Sequence, residues 1–168
     1  FGVCYGNYNS DTTRCVPANG KFSPRQRAVY ESVLNCLKEG SKLLKPGVLS
    51  KDYEKQMASL VENELIELGL ITRKEIAAQN PNTPVYKKYF MHGTAHYLGL
   101  DVHDVGLYSR PFEKGMVLTC EPGIYIPEEG IGCRLENDLL LTENGNYNLT
   151  GALPIEIDEI ERLIGNNK

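Results

Sequence analysis

Three histidines, His92, His96 and His103, fall within twelve consecutive positions, and the chain contains no others. A single histidine in a protein is more often a hydrogen-bonded structural residue than a catalyst or a metal ligand. Here Gly93 and Gly99 interrupt the segment, and glycine lets a backbone turn sharply enough to bring several imidazoles towards one point. The segment is therefore a candidate site for metal binding or acid–base chemistry.

Three acidic residues elsewhere in the chain are candidate partners for these histidines. Glu121 precedes a Pro-Gly pair, Glu136 follows Arg134 by two positions, and Asp11 lies near the N-terminus. Each has a simpler interpretation, because glutamates on strands usually face solvent and aspartates in turns often bond their own backbone. On a strand, residues two apart face the same way, so Arg134 and Glu136 are expected to share a face.

If Asp11, His96, Glu121 and Glu136 converge, they offer one imidazole nitrogen and several carboxylate oxygens. This donor set suits Mn²⁺, with Co²⁺, Fe²⁺ or Zn²⁺ as alternatives, and it lacks the thiolates of a structural zinc site. Three buried carboxylates repel one another strongly unless cations neutralise them. The residue types therefore indicate a carboxylate-rich metal site.

The first elements that must position these residues are a hairpin and a helix. Residues 1–16 alternate weakly and are rich in Tyr, Val, Thr and Gly, which predicts a β-hairpin. A helix follows, with Ser23 as its cap, Pro24 in its first position and Gln26 completing a capping box. We expect this helix to stop at Gly40.

The rest of the pattern predicts a second helix and then strands. Apolar residues recur at helical spacing from a cap at Ser50 to a stop at Gly69. Residues 72–90 show no clear period. Two strands are predicted at Val117–Tyr125 and Gly132–Thr142, followed by a short closing helix at Ile157–Ile164. This order of elements is typical of an α+β fold in one domain.

Charge and composition exclude several classes of partner. The formal net charge of −4 argues against a nucleic-acid partner, which requires a basic surface. No apolar run approaches the roughly 18 residues that span a bilayer, so a membrane partner is not expected. The five cysteines form no C-x-x-C pair, which favours reduced thiols in a cytoplasmic protein over a disulfide framework.

Four motifs, taken together in order, give the chain a specific resemblance. Residues 91–106 (MHGTAHYLGLDVHDVG) resemble the histidine motif of Xaa-Pro aminopeptidases, also called aminopeptidase P, in metallopeptidase family M24. Residues 121–125 (EPGIY) and 130–138 (GIGCRLEND) resemble the next two motifs of that family. Residues 10–14 (SDTTR), followed by 19–22 (NGKF), resemble its metal-binding hairpin.

This resemblance implies a fold and a set of metal ligands. The fold would be the pita-bread fold shared with methionine aminopeptidase, prolidase and creatinase, in which two α+β halves hold a dinuclear metal site. Asp11 and Glu136 would bridge two metal ions, Mn²⁺ above all, and His96 and Glu121 would complete the coordination of one of them. The chain would form the second half of this catalytic domain and the end of the first half.

The resemblance also implies a reaction and a substrate. The activity would be release of the N-terminal residue from peptides with proline in second position. His92 and His103 would bind the peptide and stabilise the tetrahedral intermediate, and Glu121 would shuttle the proton. Arg134 would hold the polar network together, and Tyr125 would form the edge of the substrate site. We also expect homo-oligomers.

One family ligand has no counterpart in the sequence. The family's hairpin begins with a further aspartate eleven positions before the residue that matches Asp11, which falls just before Phe1. We therefore expect the chain alone to bind one metal weakly, or none, and to be inactive or nearly so. Two alternatives to an Xaa-Pro aminopeptidase stay open: prolidase, which cleaves dipeptides ending in proline, and a non-catalytic pita-bread module that binds peptides.

Overall fold

In the computed structural model, which describes residues 1–165, two long helices pack on a set of short antiparallel strands. The helices are α1 (Pro24–Leu43), α2 (Ser50–Glu67), α3 (Arg73–Ala78) and α4 (Ile157–Gly165). The strands are β1 (Cys4–Tyr5), β2 (Tyr8–Asn9), β3 (Val117–Cys120), β4 (Gly123–Ile126), β5 (Ile131–Arg134), β6 (Asn137–Leu141) and β7 (Asn146–Asn148). This is the predicted α+β class.

Helix α1 begins as its sequence predicts. The Ser23 hydroxyl accepts from the Gln26 N–H, the Gln26 side chain bonds back to the Ser23 N–H, and Pro24 opens the helix. The predicted stop at Gly40 is wrong, because α1 continues to Leu43. Gly40 instead marks a close contact between helices: a Cβ atom there would lie 2.5 Å from the Met57 Sδ of α2.

Helix α2 also differs from its prediction at the start. Leu49 occupies the N-cap position without a side-chain cap, so Ser50 is the first helical residue rather than the cap. The predicted end is confirmed, because Gly69 adopts a left-handed φ of 73° directly after the helix. The unassigned region holds α3, whose capping box joins Thr72 and Glu75.

Each of the two predicted long strands is broken in the middle. β3 pairs antiparallel with β6, which also pairs with β7, while β4 pairs with β5. The breaks fall at Glu121–Pro122 and Leu135–Glu136. Pro122 has no N–H to continue the ladder; the Glu136 N–H donates to the Thr13 carbonyl instead. The two breaks let the chain bend, so that strands β3 to β6 form a bent antiparallel ribbon.

The core lies between the helices and this broken ribbon. The helices supply buried side chains such as Val33, Leu37, Met57 and Leu65, which are at most 1% exposed. Leu118 and Cys120 of β3 are fully buried in the same cluster. Because side chains alternate along a strand, Thr119 and the Glu121 that follows it belong to the opposite face, away from the helices.

The hairpin and the ends of the described region complete the architecture. The β1–β2 hairpin is only two residues long on each side, turning through Gly6 and Asn7, both with positive φ. The predicted closing helix is confirmed as α4, which buries Ile157 and Ile160. Within residues 1–165, no helix has both the length and the apolar character needed to cross a bilayer.

Candidate metal centre

The segment that carries His96 runs antiparallel beside β3, to which it is joined by an isolated bridge between Tyr97 and Leu118. The Thr119 N–H donates to the His96 carbonyl (3.0 Å), and the His96 N–H donates to the Thr119 hydroxyl (3.1 Å). The Glu121 N–H donates to the Thr94 carbonyl at 2.8 Å. These three hydrogen bonds place His96 and Glu121 on the same side of the ribbon.

The orientation of the His96 ring leaves one nitrogen free to act as a ligand. Its Nδ1 lies 3.0 Å from the Tyr97 carbonyl oxygen, and because a carbonyl only accepts, Nδ1 carries a proton. In the neutral imidazole the lone pair is then on Nε2. This tautomer is the one in which a metal binds Nε2 and a backbone carbonyl fixes the ring.

Three carboxylates surround this free nitrogen. His96 Nε2 lies 3.8 Å from Asp11 Oδ2, 3.8 Å from Glu121 Oε1 and 3.9 Å from Glu136 Oε1. These separations are too long for hydrogen bonds. Two ligand atoms that each bind one ion at about 2.1 Å lie roughly 3–4 Å apart, so the spacing fits a shared ion. The four predicted ligands therefore converge.

Two of these atoms are also buried without hydrogen-bond partners. Among the described residues, His96 Nε2 and Glu136 Oε1 are fully buried polar side-chain atoms that form no hydrogen bond. Buried polar atoms are paired in the great majority of cases because an unpaired one costs roughly 1–3 kcal/mol. A divalent cation between them satisfies both atoms, so the donor set fits a metal ion.

The carboxyl groups of this cluster have raised pKa values, as expected where several carboxylates are buried together without a cation. Burial and the neighbouring Glu136 charge raise the pKa of Glu121 to about 7. Burial also raises the pKa of Glu136. Asp138 has a pKa raised to about 6, again mainly by burial. Negative charge is therefore disfavoured in this cluster unless a cation is present.

Glu136 is held from two sides. Its Oε2 accepts a hydrogen bond from the Thr13 hydroxyl at 2.6 Å, and its backbone N–H donates to the Thr13 carbonyl at 3.1 Å. The Arg14 guanidinium donates to the Glu136 carbonyl at 2.7 Å. Glu136 is 1% exposed. These bonds orient its free Oε1 towards His96.

Arg134 links the same hydroxyl to the second glutamate. Its Nε donates to the Thr13 hydroxyl oxygen at 3.0 Å, and its Nη1 lies 3.9 Å from Glu121 Oε2. Arg134 and Glu136 thus both reach Thr13, so their predicted shared side holds although the strand between them is broken. Arg134 thus connects Thr13 and Glu121 in one polar network.

His103 was expected to bind substrate, but it lies directly beside the candidate ligand His96. Its ring packs edge-on against His96, with centroids 4.4 Å apart. Ligand atoms of His103, His96 and Asp11 lie within 4.8 Å of one another. The exposed His103 can therefore take part in metal binding at the Asp11 side or meet a substrate from solvent.

His92 and Tyr125 form a separate pair. The Tyr125 hydroxyl and His92 Nε2 are 2.8 Å apart, and His92 Nδ1 is 2.7 Å from the Gly93 carbonyl. The carbonyl fixes the proton on Nδ1, so Tyr125 donates to Nε2. Burial lowers the pKa of His92, which favours the neutral ring. The pair adjoins Arg134, whose charge acts on both side chains.

Several contributing residues were missed from the sequence. Asp138, 2% exposed, accepts a hydrogen bond from the Asp11 N–H at 3.2 Å. Glu54 of α2 accepts from both the N–H and the hydroxyl of Thr94, at 2.9 and 3.3 Å. Asp138 could have been noticed in the sequence, because it is an acidic residue that directly precedes three leucines in a predicted strand. The sequence contains no such signal for Glu54, which looks like an ordinary polar residue on the predicted helix.

Comparison with known proteins places this geometry in a family. The profile of metallopeptidase family M24 matches residues 1–143. The Xaa-Pro aminopeptidase of Escherichia coli is 42% identical over 177 aligned residues, covering 97% of this chain and 39% of the relative. The mitochondrial intermediate cleaving peptidase 55 of Arabidopsis thaliana is 39% identical over 171 residues, covering 95% and 33%.

Solved structures agree with the sequence comparison. A variant of E. coli aminopeptidase P superposes with a TM-score of 0.87 at 40% identity, covering 98% of this chain and 40% of that one. The Zn-substituted E. coli enzyme in complex with product gives a TM-score of 0.86 at 40% identity, covering 98% and 40%. The expected pita-bread fold is thereby confirmed. The chain spans about two-fifths of the length of these relatives.

Proposed function

The chain belongs to metallopeptidase family M24, and we propose that it supplies the metal centre of an Xaa-Pro aminopeptidase. The observation that supports this most is the convergence of Asp11, Glu121 and Glu136 around the unpartnered Nε2 of His96. Two bacterial relatives that each match over 97% of the chain carry the name Xaa-Pro aminopeptidase. The substrate would be a peptide with proline in second position.

The residues divide into two overlapping ligand sets. Asp11, His96, Glu121 and Glu136 would hold one ion, and Asp11 and Glu136 would also contribute to a second. We propose Mn²⁺ because carboxylates dominate the set and one imidazole completes it. Bound divalent ions act as Lewis acids and lower the pKa of coordinated water towards neutrality, which is the chemistry a peptidase requires.

The protein side chains supply binding and proton transfer. Glu121 would accept a proton from water and return it to the imino nitrogen of the departing proline peptide. His103, exposed beside His96, and His92, oriented by Tyr125, would donate or accept hydrogen bonds from the peptide. Arg134 would hold Thr13 and Glu121 in position, because it donates to the Thr13 hydroxyl and lies 3.9 Å from the Glu121 carboxylate.

The test is peptide cleavage by the full-length protein loaded with Mn²⁺. Release of arginine from Arg-Pro-Pro supports the proposal, and the variant Glu136→Gln should lose metal binding and cleavage together. Glu143→Gln, at an exposed turn, is the matched control and should retain both. The Glu136 change removes one charge and keeps the side-chain size, so a loss reports the carboxylate itself.

Two outcomes would replace the proposed activity with an alternative. Cleavage of Xaa-Pro dipeptides with no cleavage of the tripeptide identifies a prolidase. Stoichiometric Mn²⁺ binding measured by calorimetry, with neither peptide cleaved, identifies a non-catalytic module of the same fold. Absence of metal binding in the full-length protein refutes the metal centre itself.

A further inference from the structure

Two cysteines distant in sequence lie side by side next to the metal centre. Cys15 follows Arg14 in the segment that pairs with Glu136, and Cys133 is on β5. The Cys15 Sγ lies 3.4 Å from the carbonyl oxygen of Arg134, the residue after Cys133, and the two thiols are close enough to share a hydrogen bond. Neither cysteine belongs to the proposed ligand set.

The two thiols line one small cavity. Its volume is about 140 Å³, and its walls include Phe22, Tyr30 and Gly132 as well as both cysteines. Cys15 is partly exposed, whereas Cys133 is only 5% exposed. A water molecule occupies roughly 30 Å³, so a reagent as small as a peroxide fits beside the thiols.

The two thiols differ in acidity: Cys15 is the more acidic, so it would react first with an oxidant and Cys133 second. The hydrogen bond from Cys133 lowers the pKa of Cys15 to about 6. The same interaction, together with burial, raises the pKa of Cys133. At pH 7 the thiolate form of Cys15 is therefore favoured, while Cys133 keeps its proton. An accessible thiolate beside a second thiol is typical of redox-sensitive cysteines.

We propose that Cys15 and Cys133 form a redox-sensitive thiol pair whose oxidation by a peroxide alters the metal centre. The Cys15 thiolate attacks a peroxide oxygen, the O–O bond breaks, and the second oxygen leaves as water after taking up a proton. The Cys133 thiol then attacks the sulfur of the resulting sulfenic acid. An S–S bond forms, and the hydroxyl leaves with the Cys133 proton as a second water. A dithiol reductant reverses the change.

The path from this pair to the metal ligands is short. Cys15 lies two residues after Thr13, and Cys133 directly precedes Arg134. Thr13 holds Glu136, and Arg134 holds Thr13 and approaches Glu121. Disulfide formation brings the sulfurs to about 2.05 Å, which draws the two segments together. Loss of such supporting contacts lowers metal affinity roughly 10-fold or more.

The experiment uses the reduced full-length protein treated with hydrogen peroxide. After digestion without reductant, mass spectrometry should find peptides containing Cys15 and Cys133 joined by a disulfide, and dithiothreitol should release them. Mn²⁺ titration calorimetry should show affinity reduced about 10-fold in the oxidised protein, with recovery on reduction. Cys4→Ser, at an exposed cysteine in the β1–β2 hairpin, should change neither result.

Each outcome has a distinct meaning. Oxidation confined to Cys4, or Cys15 converted to sulfinic acid without a cross-link, refutes the thiol pair; this measurement needs no variant. A cross-link with unchanged Mn²⁺ affinity refutes the link to the metal centre. The link to the metal centre rests on the proposed function. Failure of the reduced protein to bind Mn²⁺ would therefore overturn the link and the proposed function together. The peptide mapping would still decide whether the two thiols form a disulfide. In Cys133→Ala protein, peroxide should no longer change Mn²⁺ affinity reversibly.

Discussion

Replacing Glu121 by glutamine should stabilise the protein in the absence of metal. The substitution keeps the size of the side chain and removes a carboxylate that burial and Glu136 make costly to ionise. The pKa of Glu121 is raised to about 7 from an ordinary value near 4.5. This difference corresponds to about 3 kcal/mol between the folded and unfolded states.

The sign of the effect follows from proton linkage. A carboxyl with a raised pKa in the folded state holds its proton more tightly there, so stability falls as pH rises from about 4.5 through about 7. The wild-type penalty is about 1 kcal/mol at pH 5 and about 3 kcal/mol at pH 8. Glu121→Gln should therefore raise the free energy of unfolding much more at pH 8 than at pH 5.

Urea unfolding of the full-length protein in EDTA, at both pH values, measures this difference. Glu143→Gln, at an exposed position, is the control and should change stability by less than about 0.5 kcal/mol at either pH. Adding Mn²⁺ should stabilise the wild type strongly and Glu121→Gln weakly. A variant that is less stable than wild type at pH 8 without metal would refute the reasoning.

Three further substitutions test how the centre is supported. Glu54→Ala removes the acceptor for Thr94 and should cost about 1–3 kcal/mol in urea unfolding, with about 10-fold weaker Mn²⁺ binding by calorimetry. Arg14→Ala removes four hydrogen bonds, to Thr13, Glu136, Asn137 and Pro154, and should cost about 2–4 kcal/mol in the same unfolding assay. Gly123→Ala places a Cβ 2.7 Å from the Tyr125 hydroxyl, which should displace it from His92 and lower kcat/KM on Arg-Pro-Pro roughly 10-fold.

Each of these changes has a matched control elsewhere in the chain. Glu67→Ala on α2, Arg73→Ala on α3 and Gly145→Ala, whose Cβ would meet nothing within 4 Å, should stay within about 0.5 kcal/mol of wild type. Equal losses in a test variant and its control would show that the contact in question does not support the centre. For Gly123→Ala, an unchanged kcat/KM would show that the Tyr125 position does not matter for cleavage.

The helices could be predicted well because their signals are local. The capping box at Ser23 and Gln26 and the left-handed Gly69 each act within one helical turn. The error at Gly40 came from a contact with Met57 on another helix. Glycine at that point serves helix packing, and its effect on the end of α1 was overridden by tertiary contacts.

The candidate ligands could be proposed from residue types and from the family resemblance, but their geometry could not. Nothing in the local sequence of Glu136 reveals that its N–H bonds Thr13 rather than a neighbouring strand. Sequence spacing therefore predicted one continuous strand where the structure has two. The supporting roles of Glu54 and Asp138 depend on hydrogen bonds between residues that are 40 and 127 positions apart in the sequence. A periodic pattern of apolar residues gives no information about such long-range contacts.

Two of the candidate ligands, Glu121 and Glu136, lie where the hydrogen-bond ladder between the strands is interrupted, and this explains how four distant segments meet. At the first break the Glu121 N–H bonds the Thr94 carbonyl, which brings in the segment that carries His96. At the second break the Glu136 N–H bonds the Thr13 carbonyl, which brings in the segment that carries Asp11. Each glutamate thus recruits its partner ligand through its own backbone. A continuous ladder would have satisfied those N–H groups within the ribbon and left the histidine and the aspartate without an anchor.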